Sequence, residues 1–135
     1  ALGLAMAQPD LRILLFTGDG DTLMSLGSIA TVANHPVTNL TIMVMDNESY
    51  VETGSQPTAT AGKTDLEIVA KGSGIANSYT ISSEKDYDRI IKTIYEEEGP
   101  SLVVAKCQVK ATPLVFPHSF DGSVSINRFM STLKS

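Results

Sequence analysis

Two short aliphatic runs constrain the fold most: Arg12–Thr17 and Leu40–Met45 each stop abruptly, the first on Gly18-Asp19-Gly20 and the second on Asp46-Asn47. Continuous apolar runs of this length, closed by turn residues, read as strands buried on both faces. Between them, Leu23, Leu26, Ile29, Ala30 and Ala33 recur at three- and four-residue spacing, which predicts one helix over Thr22–Ala33. His35 follows its end, where a cation or ring nitrogen can meet the last carbonyls. The alternation then repeats. Thr64 and Glu67 form a possible capping box for a helix ended by Gly72 or Gly74, and Ser78–Ile81 reads as a strand. Ser83 and Asp86 open a helix with a core face of Tyr87, Ile90, Ile91 and Ile94, and Gly99-Pro100 stops it before the strand Leu102–Val109. A last helix is expected over Ser125–Leu133. Strands alternating with helices over short connections predict an α/β fold, a mostly parallel sheet with helices on both faces.

The chain of 135 residues suits one domain, 1–135, and its opening Ala1–Ala7 reads as the middle of a small-residue helix, so upstream residues are expected to be missing. A formal net charge of −5 without a basic cluster argues against nucleic acid or a membrane surface as the main partner. Cys107 is the only cysteine, so the chain forms no disulfide within itself and cannot by itself ligate an iron–sulfur cluster. It reads as a core thiol, and a cytoplasmic setting is expected. The run Glu96-Glu97-Glu98 reads as a solvated helix end. No G-x-G-x-x-G follows a strand, which argues against a nicotinamide-binding reading.

Open parallel sheets bind ligands beyond the carboxyl ends of their strands, where both Asp19 and Asn47 are expected to stand. If their strands lie close, a carboxylate and an amide oxygen converge on one point. Such hard oxygen donors suit Mg²⁺, which completes its shell with water and phosphate oxygens. A helix opening after Gly20 would turn free N–H groups toward the same place, and the glycines admit close approach. The polar stretch Glu48–Lys63 is expected to be a long loop that orders over a ligand.

Gly18-Asp19-Gly20, with Asn47 following at a spacing of 28 from Asp19 after a second strand, resembles the fingerprint of thiamine diphosphate enzymes. Leu26–Thr31, Thr53–Thr58, Asp65–Gly72 and Arg128–Met130 are similar to the small subunits of sulfopyruvate and phosphonopyruvate decarboxylases. The resemblance implies that Asp19, Asn47 and the backbone carbonyl of Ser49 hold Mg²⁺. It implies a cofactor-binding set of Gly18, Asp19, Gly20, Asp21, Thr22, Asn47, Ser49, Tyr50 and Thr53. Asp46 replaces an asparagine usual in the family, and Asp21 replaces a common serine and would repel diphosphate unless it turns away to cap the helix. Tyr50 and Thr53 are balanced between loop packing and cofactor contact. The implied activity is loss of CO₂ from a small 2-oxo acid to give an aldehyde. The catalytic glutamate is expected on a pyrimidine-domain (alpha) partner in a hetero-oligomer, not in this chain, with Thr53, Gln56 and His118 near the shared pocket. Two rivals remain: the beta subunit of a 2-oxo acid:ferredoxin oxidoreductase, in which Asp21 would have a counterpart, and a catalytically silent cofactor-binding module.

Overall fold

A computed structural model describes residues 1–108, 115–117 and 119–133. Strands β1 (Ile13–Gly18), β2 (Leu40–Asp46), β5 (Asn77–Ile81) and β6 (Ser101–Lys106) form a parallel sheet in the order β1-β2-β6-β5. A two-stranded antiparallel ribbon, β3 (Ser49–Tyr50) with β4 (Gln56–Pro57), stands apart from it. The α/β architecture expected from the alternation is therefore present, and all four main strands run the same way.

Side chains alternate between the two faces. On one face Ile42, Val44, Leu102 and Val104 pack with Ala5 of α1 (Leu2–Ala7), Ile29 and Val32 of α3 (Gly27–Ala33), and Leu66 and Ala70 of α4 (Leu66–Ser73). On the other, Met43, Tyr79, Ile81, Val103 and Ala105 meet Ile90 and Ile94 of α5 (Tyr87–Tyr95). The second face is only partly covered: Phe16 is 61% exposed and Met45 38%. Asn39 closes the end of α1 by donating its amide to the carbonyls of Ala5, Gln8 and Leu11 at 2.8–3.1 Å.

Several boundaries differ from expectation. The segment expected as one helix over Thr22–Ala33 is two, α2 (Asp19–Met24) and α3. Ser25 breaks it, because its hydroxyl donates to the Asp21 carbonyl at 2.8 Å while the Ser28 N–H bonds back to Ser25, winding a tight turn ahead of Gly27. Asp65, not Thr64, caps α4, accepting from the Ile68 N–H at 3.0 Å, and Gly74 ends that helix in the left-handed region. In α5, Tyr87 and Ile91 do not face the core. Both are more than half exposed, since Ile90, Thr93 and Ile94 occupy the side turned to the sheet. The strand expected to reach Val109 ends at Lys106, and Val109 itself lies outside the described residues. Cys107, just past that strand, is exposed rather than a core thiol. The last helix, α6 (Gly122–Thr132), starts three residues early under a cap from Asp121. Glu97 is not merely solvated, because its carboxylate accepts from Asn77 at the start of β5 (3.0 Å) and from Thr93 of α5 (2.9 Å). His35 does bond the end of α3, with Nδ1 2.7 Å from the Thr31 carbonyl.

Candidate cofactor site

In the β1–β2 ladder Gly18 stands opposite Met45, so the next residues, Asp19 and Asp46, lie side by side at the carboxyl end of the sheet. The chain turns here into α2, which starts at Asp19 itself. Asp21 turns back to the start of that helix, its carboxylate 3.4 Å from the Gly18 N–H, and Thr22 donates to the Gly18 carbonyl at 2.7 Å. Beyond β2, Asn47 accepts from the Ser49 N–H at 2.9 Å and redirects the chain into the β3–β4 ribbon. The stretch expected as a long loop contains a short β3–β4 hairpin with a 3₁₀ turn at Val51–Thr53 in its tip and a second, Ala59–Ala61, after it.

These elements enclose a cavity of about 560 Å³ lined by Gly18, Asp19, Gly20, Asp21, Met24, Asn47, Ser49, Tyr50, Val51, Glu52, Thr53 and Gln108. Eight of the nine residues expected at the cofactor are on its wall. Thr22 is buried beneath it, with its hydroxyl committed to Gly18. Gln56 is not on the wall, and His118 lies outside the described residues. Tyr50 packs on Gly20 so closely that a Cβ there would sit 2.5 Å from its ring.

Asp19 and Asp46 are each only 2% exposed, and the surrounding groups account for how two carboxylates share that space. Asp19 Oδ2 accepts from the Thr58 hydroxyl at 2.6 Å and lies 3.2 Å from that of Thr60. Asp46 Oδ1 accepts from Thr60 at 2.8 Å and from the Glu48 N–H at 3.1 Å. Its other oxygen pairs with Lys106 Nζ at 2.8 Å, and Lys106 also reaches Glu48 at 2.7 Å. Burial draws the Lys106 ammonium toward neutrality, but its bonds to Asp46 and Glu48 outweigh this and hold its pKa above the ordinary lysine value. Burial also pushes the Cys107 thiol up, aided by the charges of Asp46 and Asp19. Thr58, Thr60, Lys106, Glu52 and Gln108 were not anticipated. Thr58 closes the Thr53–Thr58 segment that carries the resemblance, but nothing in the sequence marks the partners of these five residues.

Among the described residues no group of three His, Cys, Asp or Glu side chains could hold a metal by itself. The donors on the wall are instead the buried Asp19 carboxylate, the exposed acids Asp21 and Glu52, the side-chain amides of Asn47 and Gln108, and the hydroxyls of Ser49, Tyr50 and Thr53. That set suits a hard cation sharing its shell with a phosphate-bearing ligand.

Residues 1–105 match the family described as thiamine pyrophosphate enzyme, C-terminal TPP binding domain, and the chain belongs to that family. It is 35% identical over 105 residues to the sulfopyruvate decarboxylase subunit beta of Methanocaldococcus jannaschii, covering 78% of this chain and 55% of that one. It is 36% identical over 102 residues to the phosphonopyruvate decarboxylase of Streptomyces viridochromogenes, covering 76% of this chain and 25% of that one. The fold is similar to that of a Mycobacterium smegmatis protein described as a "putative thiamin diphosphate-dependent enzyme", with a TM-score of 0.66, 23% identity, and coverage of 80% of this chain and 21% of that one. The chain thus spans about half, or less, of the length of these curated relatives.

Proposed function

We propose that this chain is the diphosphate- and Mg²⁺-binding part of a thiamine diphosphate-dependent decarboxylase acting on a small 2-oxo acid with an anionic tail. The observation that carries the reading is the meeting of Asp19 and Asn47 on one cavity wall at the ends of adjacent strands. Asp19 offers the carboxylate oxygen its threonines leave over. Asn47 Oδ1 accepts one N–H and keeps a second lone pair for a cation. Glu48 and Tyr50 turn their carbonyls to the Thr58 and Ser55 N–H groups, and strand alternation turns the Ser49 carbonyl between them the other way, available as a third donor. Gly20 and Asp21 supply first-turn N–H groups for the diphosphate, while Tyr50 and Thr53 complete the wall. When bound, the cofactor ring supplies the electron sink that makes loss of CO₂ feasible. This chain's contribution is to anchor and orient.

The names of the two relatives favour a carboxy-lyase over the ferredoxin-linked alternative. The word subunit in one of them supports a partner chain here, carrying the pyrimidine-binding half and the catalytic glutamate. A cytoplasmic setting fits as well, and no helix among the described residues is long and apolar enough to cross a membrane. Calorimetry tests the binding: thiamine diphosphate should bind with Mg²⁺ and fail with chelator, and Asp19→Ala or Asn47→Ala should weaken it at least about tenfold. Tight binding without metal would overturn the assignment. Activity is followed as CO₂ release from sulfopyruvate, phosphonopyruvate and pyruvate, and it should appear only when the partner is added. Because Glu52 lines the cavity, Glu52→Gln is the decisive control. It should retain turnover, whereas the corresponding change of a partner glutamate should abolish it.

A further inference from the structure

The two hydroxyls beside Asp19 have only two protons to give, and the shortest approaches favour one for each carboxylate. Thr58 Oγ1 is 2.6 Å from Asp19 Oδ2, the shortest contact in the cluster, and Thr60 Oγ1 is 2.8 Å from Asp46 Oδ1. The remaining approaches are longer: 2.9 Å between the two hydroxyls and 3.2 Å from Thr60 to Asp19. Both threonines are buried, at 4% and 7% exposure. The two acids differ in what else they hold. Asp46 has the Glu48 N–H and Lys106 besides Thr60, whereas among the described residues Asp19 has only the threonines.

We infer that Thr58, backed by Thr60, is a positioning residue that occupies one oxygen of Asp19 and so presents the other, Oδ1, to the cation as a single-oxygen ligand. The inference rests on the proposed metal–diphosphate site and adds how that site selects its ion. A carboxylate that can offer only one oxygen suits Mg²⁺, with its small octahedral shell, and denies Ca²⁺ the two-oxygen grip that a larger, looser shell accepts. Removing the Thr58 hydroxyl frees Oδ2, so the carboxylate can rotate or chelate. Thr60 can turn its proton to Asp19 in compensation only by giving up Asp46, so the two substitutions should differ in size.

The test uses the complete chain together with any chain that purifies with it, and titrates Mg²⁺ and Ca²⁺ separately by calorimetry in saturating thiamine diphosphate. Mn²⁺ paramagnetic resonance serves as a second readout. Thr58→Val should weaken Mg²⁺ about 10- to 100-fold, the range seen when groups behind a metal ligand are removed, and should weaken Ca²⁺ much less. Thr58→Ser should restore the wild-type ratio of the two affinities, and Thr60→Val should fall between. Equal weakening of both ions would mark Thr58 as merely structural and overturn the inference, as would no change in either. If Thr58→Val does not fold, Thr58→Ala and Thr58→Ser decide by the same ratio. Should the wild type bind no thiamine diphosphate with metal, the proposed function itself fails. Should it bind while Thr58 variants leave the ratio unchanged, only this inference fails.

Discussion

Gly20 has no room for a side chain. A methyl group there would press into the Tyr50 ring at 2.5 Å, so that ring, itself part of the cavity wall, must shift to admit it. Gly20→Ala should therefore cost about 1–3 kcal/mol of stability, read as a lower Tm, and weaken thiamine diphosphate binding in the same samples. At Glu97 the outcome depends on pH. Hydrogen bonds from Asn77 first, then Thr93, hold its pKa below the ordinary glutamate value of 4.5. A carboxylate with a depressed folded pKa stabilises fully above the unfolded value and loses that contribution as pH falls through the folded one. Glu97→Gln should accordingly lower stability by about 1 kcal/mol at pH 7, with the difference from wild type shrinking below pH 4.5 in acid melts. The positions of Asp19 and Asn47, each just past a strand, were legible in the sequence because an aliphatic run that stops on polar residues marks where a sheet opens to solvent. Thr58 and Thr60 were not, since their hydroxyls meet Asp19 across 39 and 41 residues and no local pattern encodes that pairing.

At the level of elements, period and punctuation told strand from helix along most of the chain, and errors gathered at ends and breaks. The split between α2 and α3 was hidden because apolar spacing continues across Ser25, while the local hydroxyl-to-carbonyl bond that tightens the turn leaves no hydrophobic trace. The choice between Thr64 and Asp65 as cap was similarly beyond pattern: both residue types can cap, and it is Asp65 whose extended backbone precedes the helix and whose oxygen meets the Ile68 N–H. Asp65→Ala should destabilise α4 by about 1 kcal/mol in denaturant melts, whereas Thr64→Ala should change little. The hairpin over 48–63 is fastened at its base, where the Thr58 N–H bonds the Glu48 carbonyl at 3.1 Å, and its tip at Val51–Gly54 is exposed. Hydrogen exchange should find the Thr58 amide protected even without ligand, with the tip amides slowing only when thiamine diphosphate and Mg²⁺ are present. Equal exchange at the tip with and without ligand would contradict a role for the hairpin in covering the diphosphate.

Across the whole molecule, the order β1-β2-β6-β5 leaves two outer strands of unlike character. One is β5, Asn-Ser-Tyr-Thr-Ile, which starts polar; the other is β1, Ile-Leu-Leu-Phe-Thr-Gly, with neither a charge nor a proline. Among the described residues β1 pairs only with β2, so its far side presents peptide N–H and C=O groups in a row beside exposed Phe16. An unpaired apolar edge of that kind is a template for another strand. The consequence is colloidal: at high concentration and without other chains, these 135 residues should lengthen their sheet from one molecule into the next, scattering light and binding amyloid dyes. Phe16→Lys places a charge on that edge at a position already 61% exposed, so it should suppress the scattering while shifting stability by no more than about 0.5 kcal/mol.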